Sequence, residues 1–296
     1  MPSAACRLVA ADTVPARVLH ATLVASFADY VTGPLVLPLL QWPDFLARQA
    51  VDLHLSRVAL QGSVAVALAF VSPRPRAGRW RLATMGALPA ARGNGAAKAL
   101  LDDLVQRAAG AGMTGLELEV FAQNPRALRL YESRGFVRCH PLHGWHAGVA
   151  PAALRLPTDA VHPVHRDTAL AWLDEADQHL PELPLQMLPP VIGTVGTPLG
   201  AWRLGSAQVI WNRPAEGPVN VLSLVDRVPT QRDAQTLVGA LWASLSADAP
   251  TAPATTAAPL LLRVPPLMRP DTGGLALARL GFTRQPLYQW WMRRGL

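Results

Sequence analysis

The sequence predicts a mixed α and β fold in two domains, on three observations. The chain of 296 residues exceeds one ordinary domain of roughly 100–200 residues. Segments with the two-residue apolar alternation of strands trade places with segments of helical periodicity. Half the residues are hydrophobic and only 16% are charged, the balance of a packed core rather than of a disordered polyelectrolyte.

In order, 7–11 reads as a strand, and 15–30 as a helix with Val18, Leu19, Leu23, Val24 and Phe27 at helical spacing. A short second helix follows at 42–51. Segments 55–60 and 64–71 flank Gln61-Gly62-Ser63 as a hairpin, and 79–88 is the next strand. The clearest helix is 96–109, with Leu100, Leu101, Leu104 and Ala108 on one face and Asp102, Asp103 and Arg107 on the other. Then come a strand at 116–121, a helix at 125–133 stopped by Gly135, and a closing strand at 136–143.

The composition limits the function classes. The net charge is +7, and Lys98 is the only lysine; arginine, whose planar fork suits phosphate and carboxylate, supplies nearly all the positive charge. Residues 1–147 hold 15 basic and 9 acidic side chains, and 148–296 hold 12 and 11, so the basic excess belongs to the first half. The expected division is 1–147, a linker at 148–160 rich in proline and small residues, and 161–296, with a further loop at 247–259. Cys6 and Cys139 have no zinc spacing and form no disulfide framework. His140, His143 and His146 lack cysteine or acidic partners, so no metal is expected. No segment is long and apolar enough for a bilayer, and the N-terminal residues do not resemble a secretory signal. The expectation is a soluble cytoplasmic protein acting on neither membrane nor nucleic acid.

The most informative stretch runs strand, loop, helix from Met85 to Lys98. Pro89 ends strand pairing. Gly93 and Gly95 accept backbone angles that other residues resist. The helix that follows aims unpaired N–H groups and its positive dipole end at whatever lies before it, an arrangement suited to phosphate or pyrophosphate. The loop is neither a Walker loop nor a full dinucleotide fingerprint.

Arg92-x-x-Gly95-x-Ala97 after a strand resembles the acyl-CoA pyrophosphate loop of the GCN5-related N-acetyltransferases. A second block of that family is matched in order by Leu116-Glu-Leu-Glu119-Val, Asn124, Ala127, Leu-Tyr131-Glu and Gly135-Phe136. This block is especially similar to the enzymes that acetylate ribosomal-protein N-termini. The resemblance implies a mostly antiparallel twisted sheet flanked by helices, with acetyl-CoA as co-substrate. It implies that the backbone of Gly86, Ala87 and Leu88 pairs with the pantetheine arm. N–H groups across Arg92, Gly93, Asn94, Gly95, Ala96 and Ala97 would hold the pyrophosphate, and Asn124 would bond the pantetheine. Tyr131 would protonate the leaving thiolate, and Glu119 would take the amine proton through water. Glu117 shares a strand face with Glu119 and reads as a solvated residue. Arg74, Arg76, Arg79 and Arg81 read either as a solvated hairpin edge or as a site for an anionic acceptor or the 3′-phosphate of CoA.

The second half reads as a worn copy of the first. Strands are expected at 201–203, 208–211, 220–225, 260–264 and 288–292, with a helix at 234–245. Pro229-Thr-Gln-Arg232-Asp233-Ala-Gln235 lines up with Pro89 to Gly95 and replaces both glycines. Asp233 would set a carboxylate where phosphate should sit, and Leu277 falls where Tyr131 stands. The expectation is a tandem protein with an active first domain and a degenerate second one, monomeric or weakly dimeric. It would transfer acetyl from acetyl-CoA to a small-molecule or peptide amine. A non-catalytic acyl-CoA-binding regulator is the alternative.

Overall fold

The structure is a computed structural model and describes residues 6–148, 150, 161–247 and 261–296. The linker at 148–160 and the loop at 247–259 lie outside the described residues, except for Gly148, Ala150 and Ala247. The chain divides into two units, Met1–His140 with Trp290–Leu296, and Pro141–Gln289. The division falls before residue 147, and the C-terminal end belongs to the first unit. Among the described residues no helix is long and apolar enough to cross a membrane.

The first unit carries β1 (Arg7–Ala10), α1 (Ala16–Ser26), α2 (Trp42–Arg48), β2 (Asp52–Gln61), β3 (Val64–Arg74), β4 (Arg79–Ala87), α3 (Ala96–Gly110), β5 (Gly115–Phe121), α4 (Pro125–Glu132) and the start of β6 (Val137–Ala147). β1 to β4 pair antiparallel in sequence order. The β2–β3 turn passes through Gly62 at φ +61°, a left-handed angle glycine adopts without steric cost. β4 and β5 are parallel, as the intervening α3 requires. On one face of the sheet Leu100, Leu101 and Leu104 of α3 and Leu128 of α4 pack with Leu82, Leu116 and Leu118. On the other, Leu19 and Leu23 of α1 and Trp42 of α2 pack with Val58, Leu68 and Phe70. The C-terminal residues run beside β5, where the Leu296 N–H donates to the Thr114 carbonyl at 3.2 Å.

The second unit follows the same element order: β7 (His162–Pro163), α5 (Arg166–His179), α6 (Pro189–Ile192), β8 (Leu199–Leu204), β9 (Ala207–Asn212), β10 (Val219–Asp226), α7 (Arg232–Ala247), β11 (Leu262–Met268), α8 (Leu275–Arg279) and the start of β12 (Thr283–Gly295). β7 to β10 pair antiparallel, and β10 and β11 are parallel. The latter part of β6 pairs antiparallel with β11, Trp145 opposite Val264. In each unit the result is a mixed α/β fold with a mostly antiparallel sheet flanked by helices.

Candidate active site

The site arises where β4 and β5 part. Their ladder runs from Arg79 opposite Gly115 to Leu82 opposite Leu118 and then stops. The cause lies on the other edge of β4. There the β3 register shifts so that Phe70 faces Thr84 while Val71 faces Leu82, leaving Ala83 as an extra residue. Such a bulge bends and twists its strand, and β4 turns away from β5. A cavity of about 570 Å³ lies between, with Met85, Gly86 and Ala87 on one wall and Asn124, Leu130 and Tyr131 on the other. Gly86 is glycine because α1 presses on it: a Cβ there would stand 2.8 Å from both Phe27 Cε2 and Ser26 Cβ.

The start of α3 closes one end. Gly93 and Gly95 adopt φ +86° and +87°, which an L side chain resists by about 1–2 kcal/mol, and a Cβ at either would meet nothing within 4 Å. Glycine is needed for the backbone angle, and the space before the loop is open. Gly95 is the N-cap and offers no side chain to the first helical turn, whose amides have no intrahelical acceptor. Lys98 and Arg126 add positive charge to the lining. The end is an anion seat in shape and in field.

The residues expected at this site fall into three groups. Gly86, Ala87, Arg92, Gly93, Gly95, Ala96, Ala97, Asn124 and Tyr131 line the cavity. Leu88 and Asn94 do not. The Leu88 N–H is committed to the Val66 carbonyl at 2.9 Å and its side chain to the α3 core, while the Asn94 N–H points back to the Ala91 carbonyl at 3.3 Å. Glu119 is the third case. Arg81 Nε donates to its Oε2 at 2.8 Å, and both side chains are 2% exposed.

Two further readings are corrected. Glu117 is fully buried, 2.8 Å from Arg74 Nη1 and 3.0 Å from Arg79 Nε, so it is no solvated strand residue. Arg74, Arg79 and Arg81 are no solvated edge: all three are buried, Arg74 and Arg79 share the Glu117 carboxylate and Arg81 pairs with Glu119. The physical reason is register: Arg81 lies opposite Glu117, and alternate residues of both strands share a face. Charges taken out of water demand partners.

Arg92 also differs from expectation in its side chain. Its guanidinium makes two 2.5 Å bonds to Asp29, one of 3.0 Å to the Ser26 carbonyl and one of 3.3 Å to the Ala87 carbonyl. It ties the end of α1 to the end of β4. Hydrogen bonding from Arg92 holds the Asp29 carboxyl below its ordinary value.

Two tyrosines enter the cavity. Tyr131 is 7% exposed and packs on Phe136 with ring centres 5.9 Å apart. Burial pushes its phenol above the ordinary value, so it keeps its proton at neutral pH. Tyr30, which sequence reading passed over as the end of a helix, lies in the turn after α1 and stacks edge-on against Phe27 and Phe121. Asn124 caps α4 through Oδ1, accepting from the Ala127 N–H at 3.1 Å, and burial pushes the Tyr30 phenol above its ordinary value.

The corresponding place in the second unit is closed. β10 and β11 part after Asn220 opposite Arg263, but the turn before α8 occupies the opening. A Cβ on Gly273 would lie 2.6 Å from Met268 Sδ and 2.9 Å from the Leu224 carbonyl. Gln231, fully buried at φ +53°, donates to the Pro270 carbonyl at 2.8 Å and accepts from the Ala276 N–H at 3.1 Å. The carboxylate that meets the α7 amides is Asp226, 3.1 Å from the Ala234 N–H. Asp233, expected in that role, instead accepts from the Ser206 N–H at 2.9 Å.

Fold and site together give the first unit a parted strand edge and an uncapped helix N-terminus that open on one cavity. Residues 26–136 match the model of the acetyltransferase (GNAT) family, so this stretch is similar to that family. The whole chain is similar to three crystal structures of GCN5-related N-acetyltransferases. The one from Kribbella flavida is 16% identical with a TM-score of 0.61, over 99% of this chain and 72% of that one. The one from Anabaena variabilis has the same identity and TM-score, over 98% and 72%. The one from Sphaerobacter thermophilus is 13% identical with a TM-score of 0.60, over 98% and 95%. At these identities the likeness is one of fold.

Proposed function

We propose that the chain is an acetyl-CoA-dependent N-acetyltransferase whose single active site is the cleft of the first unit. The observation that carries this reading is the parted β4–β5 edge, the open α3 N-terminus and the buried Tyr131 hydroxyl meeting in one cavity. The pantetheine arm lies along Met85–Ala87 and pairs with the strand edge that β5 leaves unpaired. The pyrophosphate sits before Gly93–Ala97, with Lys98 and Arg126 balancing its charge. Held there, the thioester faces an acceptor brought into the same cavity, and proximity supplies much of the rate. The neutral amine attacks the carbonyl carbon, the C–S bond breaks, and Tyr131 gives its proton to the leaving thiolate while the amine proton passes to solvent. Glu119 stays with Arg81 and has no part in the transfer. The second unit is a repeat of the first that has lost its ligand site. The basic residues do not select an acidic acceptor, since three of the arginines behind that expectation are paired internally.

The test is thiol release from acetyl-CoA with a panel of primary amines. In Tyr131→Phe, turnover falls by about 100-fold or more, within the range of a lost general acid, while CoA affinity changes by less than threefold. Because burial raises the phenol above its ordinary value of about 10, wild-type turnover shows no alkaline loss from this group below about pH 10. Thiol release absent with every amine, alongside intact acetyl-CoA binding, would leave the non-catalytic regulator as the reading.

A further inference from the structure

Tyr131 owes its place to more than its own helix. α4 ends at Glu132, and the chain turns back through Ser133–Phe136 with Gly135 at φ +78°. The N–H groups of Arg134 and Phe136 both donate to the Tyr131 carbonyl, at 2.9 and 3.2 Å, and it is the Phe136 ring that packs on the Tyr131 ring. The turn therefore grips Tyr131 by backbone and side chain at once. The Arg134 side chain fastens the turn to α3, its Nε donating to Asp102 Oδ1 at 2.8 Å.

A second fastening comes from 160 residues further along the chain. Residues 290–296 belong to the first unit and run beside β5. They approach so closely that a Cβ on Gly115 would lie 2.7 Å from the Arg294 carbonyl oxygen, and Met292 enters the core that α3 and α4 build. From this seat the half-buried Arg294 donates through Nη1 to the Arg134 carbonyl. The last carbonyls of a helix have no intrahelical donors and carry its negative dipole end, so a guanidinium suits the turn that follows α4. We propose that Arg294 is a positioning residue for the acetyl transfer: by pinning the turn after α4 it holds the Tyr131 hydroxyl in line with the leaving sulfur. The proposal rests on the acetyltransferase reading and adds a residue that acts through Tyr131 without touching the reactants.

The experiment compares wild type, Arg294→Ala, Arg294→Lys, Tyr131→Phe and the double variant Arg294→Ala/Tyr131→Phe in the full chain. Thiol release from acetyl-CoA is measured with a tripeptide bearing a free N-terminal alanine and with spermidine, CoA affinity by calorimetry, and folding by melting temperature. Arg294→Ala lowers kcat roughly tenfold, the order of a slightly misplaced reacting group, with CoA affinity and KM for acetyl-CoA within twofold. Arg294→Lys, which keeps a cationic donor, recovers most of that loss. The double variant is no slower than Tyr131→Phe alone, because the effect runs through the hydroxyl already removed. The chain has three tyrosines, so ring-labelled tyrosine gives three NMR signals. In Arg294→Ala the signal that Tyr131→Phe deletes shifts more than the other two. An unmoved signal, an unchanged kcat, or losses that multiply in the double variant overturn the assignment. A wild-type protein that binds CoA but releases thiol with neither probe overturns the reading beneath it, and the NMR signal then still decides whether Arg294 holds Tyr131.

Discussion

Helices α3 and α7 stand at the same point in the element order of their units, and their N-termini are treated in opposite ways. α3 begins after two glycines in left-handed conformation, has no side-chain cap and faces an open cavity. α7 begins beside the buried Asp226 carboxylate, and Gln231 ties the loop before it to the turn before α8. An unpaired helix N-terminus is costly unless something negative or hydrogen-accepting meets it. The second unit supplies that group from its own chain, whereas the first, in the proposed function, takes it from the coenzyme.

That contrast can be broken at several points, in falling order of effect. Removing the acid hydroxyl with Tyr131→Phe costs about 100-fold in turnover, or about 2.7 kcal/mol; Leu277→Phe, at the matching place in the second unit, costs none, as steady-state thiol release will read. Gly93→Asp sets a carboxylate into the loop before α3. Repulsion of pyrophosphate and the left-handed angle together weaken CoA binding by roughly 30-fold, read by calorimetry. Asp226→Asn removes the acceptor charge at α7 and lowers stability by about 1–2 kcal/mol in urea unfolding, with CoA affinity unchanged. Smallest in its effect on chemistry is Glu119→Gln, which lowers the melting temperature because Arg81 loses its partner. Its residual turnover keeps the wild-type pH profile; loss of the acid limb of that profile would return Glu119 to the base's role.

Most of the first unit was legible from periodicity, because its strands alternate and α3 has a clean apolar face. The left-handed turn before α3 was legible too, because Gly93 and Gly95 precede the helix. Glu117 and the arginines of β3 and β4 were misread for one reason: local sequence does not carry the register that sets Arg81 opposite Glu117, so charges on separate strands looked solvated. Tyr30 was missed because the aromatic alone gives no signal; the Phe121 ring it packs on is far away in sequence. In the second half α5 was not read, and Asp226 was passed over in favour of Asp233, which is nearer in sequence to the helix start.

The central claim is that one helix N-terminus binds coenzyme and the other is sealed by its own chain. Calorimetric titration of the full chain with CoA tests it most directly. The account predicts one site per chain, lost or weakened by Gly93→Asp and untouched by Asp226→Asn. Two sites per chain, or one site that survives Gly93→Asp at full affinity, would contradict it.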